Sequence, residues 1–282
     1  MILLSCLLEC AGFVLAVCLA IAIGKRLSNL SPMWWGIGYA IFLPVVFGIA
    51  IVRRLPTAEF HPVVSWMVKG RLDFVFFAAG VSVMLCALMP KLKSPRQRGM
   101  VKLLLALAIL YNFLPFALPV LAMPHQMSLS NRLNKDGVCI QSNGFNCGPT
   151  AAVIALRSFG IDAQEGQVAI ESRTAPVMGT DIVNLTEALE KHCRGKPISL
   201  KLGAYSSIDE IRGADAFLTI VDRTTFAAHF VTVLAVTDQH VIIGDPASGL
   251  IGMTHEQFES VWRHVGVALN DEGADVWLTG VD

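Results

Sequence analysis

Acidic residues are nearly absent from the first 123 residues of this 282-residue chain, where Glu9, Glu59 and Asp73 stand against 11 lysines and arginines. The shortage reverses in residues 124–282, where 11 basic residues face 19 acids, so a formally neutral chain consists of a basic half and an acidic half. The acidic half lacks the basic face that nucleic-acid phosphates require, and no nucleic-acid partner is expected. Charge is scarce overall at 16%, and the mean hydropathy of +0.58 is too apolar for an ordinary soluble protein. Internal repeats and low-complexity tracts are missing. So are the paired C-x2-C or Cys/His clusters of a zinc site, and no metal or cofactor is expected. The G-x-x-x-x-G-K-[ST] phosphate loop is absent as well, which leaves no ATPase half on this chain.

What the basic half does contain is apolar runs at 2–24, 33–52, 72–90 and 100–123, separated by short charged clusters. Each approaches or exceeds the roughly 20 residues that cross a bilayer as a helix. An all-α transmembrane region of about four helices is therefore expected, in contact with a lipid bilayer. A cleaved signal peptide fits the first run poorly, because its basic residues, Lys25 and Arg26, follow the apolar stretch instead of preceding it. Glu9 and Asp73 fall inside apolar runs, where ionisable groups are costly, and are read as lying near span ends or facing a neighbouring helix. Pro44, Pro115 and Pro119 would kink their helices, which membrane helices tolerate. Lys25, Arg26, Lys91, Lys93, Arg96 and Arg98 lie on one side of the expected spans, and Arg53, Arg54, Lys69 and Arg71 on the other. The positive-inside bias then places both chain ends outside the cytoplasm, with Arg132 and Lys135 counting the other way.

After Pro124 the pattern changes. Residues 124–136 read as a polar linker and 137–282 as a folded domain of common size. Gly148–Phe159 carries apolar residues at helical spacing and stops at Gly160, and Glu165–Ser172 and Asp181–Cys193 read as further helices. Strand signals follow at Ala216–Val221, His229–Thr237 and His240–Ile243, with a hairpin turn at Thr237-Asp238-Gln239. Thr254 and Gln257 have the form of a capping box that opens a short helix reaching Trp262. Val265–Leu269 and Asp275–Leu278 read as closing strands. Helices first and antiparallel strands later suggest an α+β domain.

Chemistry concentrates in the stretch GVCIQSNGFNCGPTAAV. Cys147 precedes Gly148-Pro149, and proline suits the first turn of a helix because its missing N–H costs nothing there. Cys147 thus sits at a helix N-terminus, whose partial positive charge favours the thiolate. A lone cysteine in such a place is as readily a buried inert thiol. His229 opens an apolar strand and is placed to reach a helix end, although a strand-edge histidine is a common bland feature. Counted from the hairpin turn, His229 and Asp245 fall near the same end, so the carboxylate can orient the imidazole. The competing reading of Asp245-Pro246 is a turn initiator. Gln141, six residues before Cys147, can supply a side-chain amide that joins the Cys147 N–H as an oxyanion hole.

The segments Gln141…Asn146-Cys147-Gly148-Pro149, Ala228-His229-Phe230-Val231-Thr232-Val233-Leu234 and Gly244-Asp245-Pro246-Ala247-Ser248-Gly249 resemble those of the C39 peptidases, a papain-like family known from bacteriocin export. Phe258…Trp262 resembles the helix that closes that family's domain. The resemblance covers residues 135–270 and none of the apolar half. It implies an α+β papain-like cysteine peptidase domain with Cys147 as nucleophile, His229 as general base and acid, Asp245 as orienter and Gln141 as oxyanion donor. It also implies a peptide or protein substrate, with leader peptides cut at Gly-Gly-like sites, and a separate export machinery as partner. The expected protein is a membrane-anchored cysteine endopeptidase of a bacterial inner membrane, its peptidase domain exocytoplasmic. The alternative is a non-catalytic C39-like module that holds a leader peptide for export. Cys139 and Cys193 would pair as a disulfide outside the cytoplasm and stay thiols in a reducing compartment. His192, His240, His255 and His264 read as surface or satisfied residues, and Cys6, Cys10, Cys18 and Cys86 as small side chains compatible with lipid.

Overall fold

A computed structural model describes residues 2–52, 71–224 and 227–273, together with positions 61, 64, 66 and 67. Arg53, Arg54 and Lys69, used above for orientation, and the expected strand Asp275–Leu278 lie outside the described residues. The chain divides into two compact units, 1–120 and 121–282.

Helices dominate the first unit. α1 spans Ile2–Ser28, α2 Pro32–Val52 and α3 Leu72–Leu88; a 3₁₀ turn over Met89–Lys91 and a short loop then lead into α4, Pro95–Met127. Among the described residues, three stretches, Leu3–Ser28, Leu72–Lys91 and Pro95–Met127, are long and apolar enough to cross a membrane, and α2 contributes the apolar segment Tyr39–Ile51. Phe13, Val17, Ala78 and Phe116 form an inner cluster, with the Phe13 ring 5.4 Å from Phe113 and 5.2 Å from Phe116. The outward faces are also apolar, with Leu8, Leu15 and Leu107 more than half exposed. A helix that is apolar all round needs an apolar surrounding, which is what a bilayer provides.

The second unit is an α+β domain. Segment 124–136, expected as a linker, instead carries the last turn of α4 and the strand β1, Arg132–Leu133, which pairs with β2, Cys139–Ile140. The helices α5 (Cys147–Ser158), α6 (Glu165–Glu171) and α7 (Ile182–Cys193) follow. α7 starts where sequence placed a break, with the Asp181 carboxylate accepting from the N–H groups of Val183 and Asn184. β3 (Ile198–Ala204), the short α8 (Ile208–Ile211), β4 (Ala216–Thr224), β5 (Ala227–Val236), β6 (His240–Asp245), β7 (Gly249–Thr254), α9 (His255–Glu259) and β8 (Trp262–Asp271) complete it. The six-stranded sheet is antiparallel throughout, in the order β3-β8-β4-β5-β6-β7.

α5 is buried from Gly148 to Leu156, so it is the helix around which the domain packs. Val153 and Leu156 are fully buried, and burial of such a side chain stabilises by roughly 1.5–3 kcal/mol. On one side α5 lies against β5, where the Thr232 hydroxyl donates to the Ala151 carbonyl at 2.7 Å, and α6 and α7 pack on its other flanks. The Thr254–Gln257 capping box forms as expected, but its helix ends at Glu259. Trp262 belongs to β8, because its indole N–H donates to Thr219 Oγ1 at 2.8 Å and its ring stacks on Phe258. Cys139 and Cys193 are both buried and form no disulfide.

Candidate active site

Three of the four residues singled out by sequence converge at the mouth of α5. Cys147 is the first residue of that helix, where backbone N–H groups have no partner within the helix. Gly148 follows because there is no space for a side chain: a Cβ there would lie 2.9 Å from Thr180 Cβ and 3.3 Å from the Phe230 ring. The helix mouth is therefore pressed against β5, which carries His229 one residue before Phe230.

His229 is 6% exposed. Its Nε2 lies 2.6 Å from Asp245 Oδ1 at the end of β6. That contact leaves Nδ1 for the Cys147 sulfur, to which His229 is hydrogen-bonded. The Asp245 carboxylate is itself fixed by the Ala247 N–H at 2.7 Å and by the Ser248 hydroxyl.

Burial raises the Cys147 thiol, but hydrogen bonds from His229 and from the N–H groups of Phe230 and Gly148, with the histidine charge, bring it below its ordinary 9.0. Burial alone would lower His229, yet Asp245 and Cys147 hold it up at about 9 from an ordinary 6.5. Burial raises Asp245, but the His229 contact and the Ala247 N–H turn the shift downward. These directions agree with one another and favour a thiolate–imidazolium pair braced by a carboxylate. Such a thiolate is a nucleophile with its proton donor already in contact.

Gln141, the fourth, lies in the loop that leads into α5. Its backbone N–H donates to the Pro246 carbonyl at 2.8 Å, which ties its loop to the turn after Asp245. Its side-chain Nε2 donates to the Asn143 carbonyl at 2.7 Å within its own loop. One N–H of the amide is occupied in that bond and a second remains.

The loop from Gln141 to Cys147 rests on a buried polar cluster that sequence reasoning missed. Glu165, fully buried at the start of α6, accepts from the Ser142 N–H at 2.9 Å, the Ser142 hydroxyl at 2.7 Å and the Asn146 amide at 2.8 Å. Asn146 in turn exchanges two 3.0 Å hydrogen bonds with Gln126, on the last turn of α4. The available signal was the position of Asn146, next to the candidate nucleophile. Away from this site, His192 was read as a surface or satisfied residue. It is held 2.9 Å from the Glu171 carboxylate with both side chains largely buried, the satisfied of those two readings. No group of His, Cys, Asp and Glu that could hold a metal is found among the described residues.

A thiol, an imidazole and a carboxylate in sequence at a helix mouth define a class of acyl-transfer site that recurs on unrelated folds. Residues 135–273 match the model of the Peptidase C39 family, and this part of the chain is a C39 family domain preceded by apolar helices. An uncharacterized protein of Methanothermobacter marburgensis is 29% identical over 131 residues, 46% of this chain and 85% of that protein. Another, from Methanothermobacter thermautotrophicus, is 24% identical over 135 residues, 48% of this chain and 88% of its own. Similar solved structures include a double glycine motif protease from an AMS/PCAT transporter in complex with the leader peptide (16% identity, TM-score 0.42, 51% of this chain and 95% of that one). The peptidase domain of Streptococcus ComA, a bi-functional ABC transporter involved in quorum sensing, is 19% identical with a TM-score of 0.41, over 46% of this chain and 95% of that one.

Proposed function

We propose that this protein is a membrane-anchored cysteine endopeptidase, with Cys147 as nucleophile, His229 as general acid and base, Asp245 as orienter and Gln141 as oxyanion donor. The observation that carries the reading is the hydrogen-bonded chain from Cys147 through His229 to Asp245 at the start of α5. The C39 family match over the same residues supports it.

In the proposed cycle the Cys147 thiolate attacks the scissile carbonyl carbon. An S–C bond forms, and the carbonyl electron pair moves onto oxygen. The Cys147 N–H and the second Gln141 amide N–H receive that oxyanion. Collapse expels the leaving amine, which takes the proton from the His229 imidazolium. Water then attacks the thioester, giving its proton to His229, and the thiolate leaves with the acid product released. Asp245 stays ionised throughout and keeps Nε2 turned away from the sulfur.

The proposed substrate is a peptide cut after small, Gly-Gly-like residues, as the resemblance to leader-processing C39 peptidases implies, and the proposed partner is a separate export machinery. The domain is placed on the exocytoplasmic face of a bacterial inner membrane. A module that only held a leader peptide would have no use for an activated thiol, so the complete site favours cleavage. Purified full chain and its Cys147→Ala variant, incubated with a peptide library that includes double-glycine leaders, test the proposal. Products from the wild type alone are expected; equal products from the variant would overturn it.

A further inference from the structure

One cavity in the helical unit is lined by three cations with no acid beside them. It has a volume of about 400 Å³ and is bounded by Lys25, Cys86, Met89, Pro90, Arg98 and Lys102. Close helix packing builds it. A Cβ on Gly24 would lie 2.6 Å from the Val83 carbonyl oxygen and 2.7 Å from Cys86 Cβ, so α1 meets α3 there with no side chain between them. Lys25, the next residue, is thereby set beside Cys86. On the opposite wall the chain reverses through the 3₁₀ turn into α4, and Arg98 Nε donates to the Leu92 carbonyl at 2.9 Å. That bond fixes the guanidinium and leaves its two Nη groups for another acceptor. Lys102 follows four residues later, on the same face of α4.

Among the described residues of the helical unit, no acid lies near this end. The sequence holds no acid between Glu9 and Glu59, nor between Asp73 and Asp136. Glu9 and Asp73 lie well back along their helices from Lys25 and Cys86, about 24 Å and about 20 Å at 1.5 Å per residue. Both separations far exceed the screening length of about 8 Å. Arg26, Lys91, Lys93 and Arg96, close in sequence to the lining residues, are exposed as well. A simple orientation signal needs no cavity shared between its side chains. Here three converge on a cavity whose remaining lining, Cys86, Met89 and Pro90, is weakly polar or apolar. The cavity also sits where the apolar stretches end and begin, at Ser28, Lys91 and Pro95, the depth at which headgroups lie.

We infer that this cavity binds the phosphate of an anionic phospholipid, with Arg98 taking the phosphate through its Nη pair, Lys25 and Lys102 flanking it, and the glycerol end lying over Met89 and Pro90. The inference rests on α1, α3 and α4 being membrane spans.

The test titrates detergent-purified full chain with phosphatidylglycerol, phosphatidylcholine or inorganic phosphate and follows the melting temperature. Phosphatidylglycerol should raise it in a saturable way, and the other two should not at equal concentration. The triple variant Lys25→Gln, Arg98→Gln, Lys102→Gln should need at least tenfold more phosphatidylglycerol. A control with the same charge loss outside the cavity lining, Arg26→Gln, Lys93→Gln, Arg96→Gln, should need clearly less additional phosphatidylglycerol than the triple variant does. All six side chains are exposed, and an unchanged lipid-free melting temperature reports intact folding. Equal response to phosphatidylcholine, to inorganic phosphate, or of both variants overturns the site. Extraction of the chain from membranes by alkaline carbonate would instead overturn the span reading on which it rests.

Discussion

His229 and Asp245 are 16 positions apart in the chain and 2.6 Å apart in space, joined through Nε2 and Oδ1 across the end of the β5–β6 hairpin. The contact decides which ring nitrogen faces Cys147 and how tightly the imidazole holds its proton. Asp245→Asn keeps the shape and removes the charge, so kcat/KM should fall by about 10²- to 10⁴-fold, the range in which an orienting carboxylate acts. Steady-state kinetics on a cleaved peptide measures it.

The same pair sets the alkaline limb of the pH profile. His229 stands at about 9 and must carry its proton to release the amine, so kcat/KM should hold through neutral pH and fall as pH passes about 9. In Asp245→Asn the largest raising contact is lost, and the limb should move down toward the ordinary 6.5. An unmoved limb would mean that another group titrates there.

Stability should follow with a defined sign. A group with a raised folded-state pKa contributes fully below its ordinary value and loses that contribution as pH rises through the folded one. For His229 the window runs from 6.5 to about 9. The wild type should lose thermal stability relative to His229→Gln across that window, and the difference should be flat below it.

Gln141→Ala should lower kcat by about 10²- to 10³-fold with little change in KM, because an oxyanion donor acts only once charge has developed on the carbonyl oxygen. A loss confined to KM would assign Gln141 to substrate binding.

Glu165→Ala strips the acceptor from the Ser142 N–H, the Ser142 hydroxyl and the Asn146 amide at once. Each buried donor left without an acceptor costs about 1–3 kcal/mol. A large fall in melting temperature is expected, with Glu165→Gln intermediate because one amide oxygen still accepts.

Legibility in the sequence tracked how local each signal was. The α5 start at Cys147, the Asp181 cap, the hairpin between β5 and β6 and the Thr254–Gln257 box all depend on neighbours a few residues away, and all were readable. β3 and β7, the two edge strands of the sheet, were not read. In β3 the alternation of Ile198, Leu200 and Leu202 with Ser199 and Lys201 is a strand signal that was available, whereas β7 carries Gly249 and Gly252, which weaken a strand pattern. Trp262 continued a helical pattern locally, but Thr219 and Phe258 draw it into the sheet core. Glu165 resembled any acid in the first turn of a helix until folding buried it against Ser142 and Asn146. Cys147, His229 and Asp245 were legible because each stands at the end of an element. Gln141 was legible as a candidate only, since its side chain is set by the Asn143 carbonyl.

The central claim is that Cys147 is held as a thiolate by His229. Alkylation by iodoacetamide, resolved residue by residue by mass spectrometry across pH 4 to 10, measures this on the full chain. Cys147 should react at a high and nearly constant rate through neutral pH, and in His229→Gln its reactivity should shift toward that of an ordinary thiol near 9.0. A wild-type Cys147 that titrates like Cys139, which burial pushes up to about 11, would contradict the account.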